Sequence, residues 1–230
     1  MARILYELAG AGDERFSPYC WRTRFALAHK GLAFETRGLA FTDIPKAVDG
    51  SYRLVPILDD NGRHLRESWD IAEYLDATYP EAPLFGPGGQ HKAAYKFMEA
   101  WTNQMLIPAM VPLLVADIYG RVKPEDKAYF RETREKRVGP LEQAAGDVEA
   151  KIAAFRALLR PYHYGLSQQL WLGGERPDYA DYILAGTLQW ARVVSPRMLI
   201  AADDPLAPWF ERCLDLFEGM ARAMPAAGPA

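Results

Sequence analysis

Ser17-Pro18-Tyr19-Cys20 sets a hydroxyl and a thiol three residues apart, behind a short β-leaning run and a loop. Ser caps a helix well and Pro is tolerated at its first position, so the tetrapeptide reads as the first turn of a helix. Unpaired N–H groups and the positive end of the dipole gather there and favour an anion, and a thiolate is one such anion. A plain Ser cap followed by Pro accounts for the same residues when the motif is taken alone.

Two further sites share this weak but specific character. Val55-Pro56 interrupts a strand-like run, and a proline cannot donate to a central ladder, so the pattern alone marks a strand edge. Glu67-Ser68 stands at a second helix start. There the Ser68 hydroxyl and the first N–H groups could hold a carboxylate, leaving Glu67 for an ammonium group; a cap and an exposed acid explain the same residues. Gly10-Ala11-Gly12-Asp13-Glu14-Arg15 opens like a dinucleotide fingerprint, but Arg15 occupies the place of the third glycine. The two cysteines, Cys20 and Cys213, and the four histidines show no metal-ligand spacing, so no metal site is expected.

These residues must be positioned by regular elements. Arg3 to Leu8, Ala33 to Arg37, Val55 to Leu58 and Arg63 to Arg66 read as strands, the last two flanking an Asp59-Asp60-Asn61-Gly62 turn. Helices are expected from Ser17 to Gly31 and from Ser68 to Pro80. The Pro- and Gly-rich stretch Pro80 to Gly89 reads as an interdomain linker. Beyond it the apolar stripes have helical period: Phe97, Met98, Trp101 and Met105; Leu141, Ala145, Val148, Ile152, Phe155 and Leu159; Phe210, Cys213, Leu214 and Phe217. Asp178 and Asp181 form a capping box ahead of another apolar helix. Two unequal units follow, residues 1–82 and residues 90–224, in an α+β chain.

Composition bounds the function. With 230 residues, 50% hydrophobic and 25% charged, the chain has the material for a packed, soluble core. A balance of 27 basic against 30 acidic residues, without a dense basic run, disfavours nucleic-acid and anionic-membrane partners. Two cysteines, no signal-peptide pattern and no apolar run of bilayer length lead us to expect a cytoplasmic protein.

Taken in order, Ser17-Pro18-Tyr19-Cys20, Leu54-Val55-Pro56-Ile57-Leu58 and Glu67-Ser68-Trp69-Asp70-Ile71-Ala72-Glu73-Tyr74-Leu75 resemble the thioredoxin-like N-terminal domain of glutathione transferases. The all-helical remainder agrees with an all-α C-terminal domain. Within that superfamily Ser17 to Arg24, Ile71 to Asp76, Trp171 to Gly174 with Ala180 to Tyr182, and Asp203 to Leu206 are most similar to bacterial glutathione-dependent β-aryl-etherases and related fungal transferases.

The resemblance implies a function and roles. Glutathione is the implied co-substrate, and Ser17 the catalytic residue whose hydroxyl hydrogen-bonds the glutathione sulfur. A two-unit fall in the thiol pKa requires about 2.7 kcal/mol, within reach of one charge-assisted hydrogen bond plus a helix dipole. Val55, exposed by a cis Pro56, would pair with the cysteinyl backbone in the manner of an added strand. Glu67 and Ser68 would hold the γ-glutamyl end, and Arg53 is the candidate for the glycine carboxylate. Tyr6 competes with Ser17, since some classes use a tyrosine near the first strand, but its place in Ile4-Leu5-Tyr6 argues for packing. An apolar, aromatic electrophile is expected between the units, against Trp101, Met105, Met110 and Tyr119, and a homodimer is expected from the superfamily. Two other activities stay open: a glutathione-dependent reductase or peroxidase using Cys20, and a non-catalytic glutathione-binding module.

Overall fold

The computed structural model describes residues 3–228, so the first two residues of the expected N-terminal unit lie outside it. The first unit is a four-stranded mixed sheet in the order β2-β1-β3-β4. β1 (Arg3–Leu8) pairs in parallel with β2 (Glu35–Leu39) and antiparallel with β3 (Ile57–Asp60), which continues as a hairpin into β4 (Arg63–Arg66). The hairpin turns on Asn61 and Gly62, both at positive φ (57° and 87°), the backbone that an Asn-Gly pair adopts most readily. β2 and β3 each begin two residues later than the apolar runs suggest. For β3 the cause is Pro56, which stands just outside the ladder after a cis Val55-Pro56 bond.

Two helices belong to this unit: α1 (Pro18–His29), capped by Ser17, and α2 (Ser68–Thr78). The Pro80 to Gly89 stretch is not a loose connection. Leu84 and Phe85 are fully buried, their N–H groups donate to Asp76 at 2.8 and 3.3 Å, and the Leu84 carbonyl accepts from Tyr179 N–H at 3.1 Å. Two apolar side chains in a Pro/Gly background thus wedge the segment against the helical unit.

The second unit is helical: α3 (Lys92–Trp101), a π-helical turn (Thr102–Leu106), α4 (Ile107–Arg121), α5 (Lys127–Val138), α6 (Val148–Leu158), α7 (Arg160–Leu166), α8 (Tyr179–Val194) and α9 (Leu206–Gly219). The stripe expected from Leu141 to Leu159 is not one helix. Gly146, at φ 51°, turns the chain and Asp147 caps a new helix through Ala150 N–H. α9 likewise leaves helical geometry at Leu216 to Glu218. Helix α8 is the hub: all but one of its residues are buried, and it begins on the expected capping box, with Asp178 accepting from Ala180 N–H and Asp181 from Asp178 N–H.

Among the described residues no helix is long and apolar enough to cross a membrane.

Candidate active site between the two units

The site begins with a buried acid in β1. Glu7 is fully buried and bonds Arg15 at 2.7 Å and Arg24 Nε at 2.8 Å; a buried carboxylate needs such partners. Arg15, the residue that spoils the dinucleotide fingerprint, therefore fixes the loop after β1. The Trp21 indole adds a 2.7 Å bond to the Arg15 carbonyl, and Phe16 is buried beside it. The loop so pinned delivers Ser17 to the start of α1.

Ser17 Oγ accepts the Cys20 N–H at 3.3 Å. Because an N-cap uses the hydroxyl as acceptor, its hydrogen remains to be donated. Ser17 lies on a cavity of about 400 Å³ that opens between the first unit and helices α4 and α5. That volume is in the range of small-molecule pockets. Arg53 and Val55 line the same cavity, and with Leu54 they also border a smaller concavity closed by Tyr52, Pro56, Arg66 and Glu67. The structure thus gathers Ser17, Arg53, Val55, Pro56 and Glu67 along one continuous surface. Arg53 Nη1 donates to the carbonyls of Gly50 and Tyr52, both at 2.8 Å.

Glu67 is the exposed N-cap of α2 and has φ 62° and ψ 123°. A non-glycine residue there costs of order 1–3 kcal/mol and persists only where its surroundings fix it. Ser68 is buried behind it, and its carbonyl accepts the Tyr179 hydroxyl at 2.8 Å, which locks the α2 start to α8. Tyr6 is half-buried in β1 beneath the Arg37 guanidinium and does not line the cavity.

The apolar wall differs from expectation. None of Trp101, Met105, Met110 and Tyr119 lines the cavity; the wall is Ile107, Val111, Val115 and Ile118 of α4. Met110 is fully buried in the core, Met105 is 40% exposed, and the Tyr119 ring is covered by Lys127 and Arg131. Met110 and Tyr119, nine residues apart, project from opposite sides of α4, and a π turn offsets α4 from α3. Ile107 N–H bonds the Thr102 carbonyl, five residues back, and the extra residue in that turn rotates all that follows by roughly 100°. Pro108, without an N–H, cannot restore the ordinary ladder there.

Four other contributions were not foreseen. Phe41 enters from the loop after β2, held because Phe41 and Thr42 N–H groups donate to the buried Asp126 at 2.7 and 2.9 Å. Phe130, Tyr129, Arg134 and Arg137 enter from α5, and Trp190 from α8. Tyr19 lines the cavity with the Arg22 guanidinium 4.8 Å from its ring centre, and burial raises its phenol above the ordinary value despite that cation. Of these only Tyr19 carried a signal, its place inside the tetrapeptide.

Cys20 faces the other way chemically. It is 2% exposed, and burial, reinforced by the Glu7 charge, lifts its thiol to about 12. At neutral pH it is a protonated core thiol.

Comparison with known proteins agrees with this arrangement. A family model for the glutathione S-transferase N-terminal domain matches residues 13–83, and one for the C-terminal domain matches residues 93–216. The mouse (Mus musculus) glutathione S-transferase omega-1 is 26% identical over 199 residues, covering 85% of this chain and 72% of that protein. A probable glutathione S-transferase of rice (Oryza sativa subsp. japonica) is 26% identical over 227 residues, covering 89% and 86%. Among solved structures, a glutathione S-transferase of Ceriporiopsis subvermispora in complex with glutathione superimposes with a TM-score of 0.77 at 24% identity, covering 99% of this chain and 100% of that one. The small mixed sheet joined to a helical unit is thus the thioredoxin-like plus all-α architecture, and the chain belongs to the glutathione S-transferase family.

Proposed function

We propose that the chain is a glutathione transferase in which Ser17 activates the thiol of bound glutathione for attack on an apolar, aromatic electrophile. The observation that carries this is the Ser17 hydroxyl: it accepts from Cys20 N–H, lies on the cavity wall and has a hydrogen that can turn to a ligand sulfur. Val55, free of the β3 ladder, is offered to the cysteinyl backbone; Glu67 and the α2 start to the γ-glutamyl group; Arg53 to the glycine carboxylate. The positive end of α1 adds to the stabilisation of a thiolate.

The electrophile would meet the thiolate against Phe16, Phe41 and the α4 wall, which supports an aromatic ring. Displacement at the ether carbon of a β-aryl ether belongs to the same reaction class. Two free, buried cysteines support a reducing, cytoplasmic setting. A homodimer across α3 is supported by Phe97 and Met105, apolar and 69% and 40% exposed on one rod.

Paired substitutions test the catalytic assignment against a Cys20 reductase. Ser17→Ala should lower conjugation at neutral pH by roughly twentyfold, in proportion to the thiolate lost, and Cys20→Ala should retain it. Loss with Cys20→Ala and retention with Ser17→Ala would favour the reductase. Retention with both would leave glutathione binding without a catalytic hydroxyl.

A further inference from the structure

The cavity beside Ser17 is walled mostly by apolar side chains, with Arg53 in the first unit and two further cations on α5. Arg134 and Arg137, one turn apart on α5, both line it, and no Asp or Glu does among the described residues. The acids of α5 are already taken elsewhere: Glu132 pairs with Lys136 at 2.9 Å and Glu135 with Arg131 at 2.6 Å, while Arg131 also reaches Glu142. Neither Arg134 nor Arg137 has a carboxylate partner among the described residues. The recorded bond of Arg134 is to the neighbouring Thr133 hydroxyl, at 2.8 Å.

Arg134 is nevertheless held in place. Its guanidinium carbon lies 5.0 Å from the Phe41 ring centre, 4.9 Å from Phe130 and 5.9 Å from Tyr129. Three aromatic faces fix a planar cation by stacking and leave its edge for a planar anion. A second cation one turn away doubles the local field, and low-dielectric walls strengthen it. Arg53, across the cavity, is bonded to two backbone carbonyls and is assigned above to glutathione.

We propose that the electrophile is an aromatic acid whose carboxylate is held by Arg134 and Arg137 while its ring lies against Phe41 and the α4 wall. This rests on the transferase reading and narrows its electrophile from a wholly apolar aromatic to one that keeps an apolar ring and carries a carboxylate. In an aryl halide of this kind the thiolate sulfur forms a C–S bond at the ring carbon bearing the halide. The carbon–halogen bond breaks, the halide leaves with the bonding pair, and the thiol proton has already passed to solvent.

The test uses a matched pair, para-chlorodinitrobenzoate and its methyl ester, with dinitrobenzoate and its methyl ester as unreactive counterparts. Calorimetric binding of the unreactive pair to the full chain should favour the acid about tenfold, the worth of one charge-assisted contact. Arg137→Gln, at an exposed position, and Arg134→Gln should each reduce that acid-to-ester ratio severalfold, and high salt should reduce it too. Equal affinity for acid and ester, or a ratio that neither substitution moves, overturns the proposal. If the acid binds with the expected preference and neither reactive compound is conjugated to glutathione, the carboxylate site stands and the transferase reading fails.

Discussion

A methyl group added at Gly186 on α8 would stand 2.7 Å from the Pro18 carbonyl oxygen and 3.1 Å from Arg22 N. Helix α8 therefore crosses the first turn of α1 at backbone contact, directly behind the residue that follows Ser17. The helical unit thus helps to set the position of the turn that carries Ser17, and the sheet alone does not.

Gly186→Ala tests this contact. The two nearest neighbours are backbone atoms, which cannot swing aside, so overpacking of about 1–3 kcal/mol is expected. For a chain of this length that lowers the melting temperature by several degrees. The Michaelis constant for glutathione should rise with it, because Ser17 moves relative to Val55. A destabilised variant with unaltered glutathione kinetics would show that the α1–α8 contact serves folding only.

Neither cysteine should react in the folded protein. Burial lifts Cys20 to about 12 and raises Cys213 well above the ordinary thiol range. A thiol-exchange reagent at mildly alkaline pH should therefore titrate no thiol in the native chain and two after unfolding. Rapid labelling of Cys20 in the native state would reopen the redox alternative.

Stability should carry a signature of Asp178. Burial, with the nearby Asp181 charge and against the 2.6 Å bond from the Tyr95 hydroxyl, raises its carboxyl to about 7. In the unfolded chain the group titrates near ~3.9. Between those values the folded chain holds a proton that the unfolded chain has released. The contribution is fully present below about 4 and is lost as pH rises through about 7. Asp178→Asn keeps the cap and removes the titration. The stability of wild type relative to that variant, from urea denaturation, should decline across this window by at most about 1.4 kcal/mol per pH unit. A difference independent of pH would contradict the assignment.

Much of the site was legible because its signals are local. Ser17-Pro18 specifies a cap, Asn61-Gly62 a hairpin, and Asp178 with Asp181 a capping box, and each folds as its own chemistry dictates. The cavity wall was not legible, because Ile107, Val111, Val115 and Ile118 read as an ordinary apolar helix face and a π turn at Thr102–Leu106 offsets α4 from α3. Nor were Arg134 and Arg137 visible as site residues. On a helix as polar as α5 they read as a solvated face, and only the fold of Phe41 against α5 sets Arg134 beside an aromatic wall. The Pro80 to Gly89 stretch read as a connection between the units, but its prolines and glycines hid the burial of Leu84 and Phe85.

The central claim is that the Ser17 hydroxyl lowers the thiol pKa of bound glutathione, and ultraviolet thiolate absorbance read against pH tests it most directly. The bound thiol should titrate about two units below the free value of roughly 8.5 and return most of the way in Ser17→Ala. A bound thiol that titrates like free glutathione, or a lowered value that survives Ser17→Ala, would contradict it.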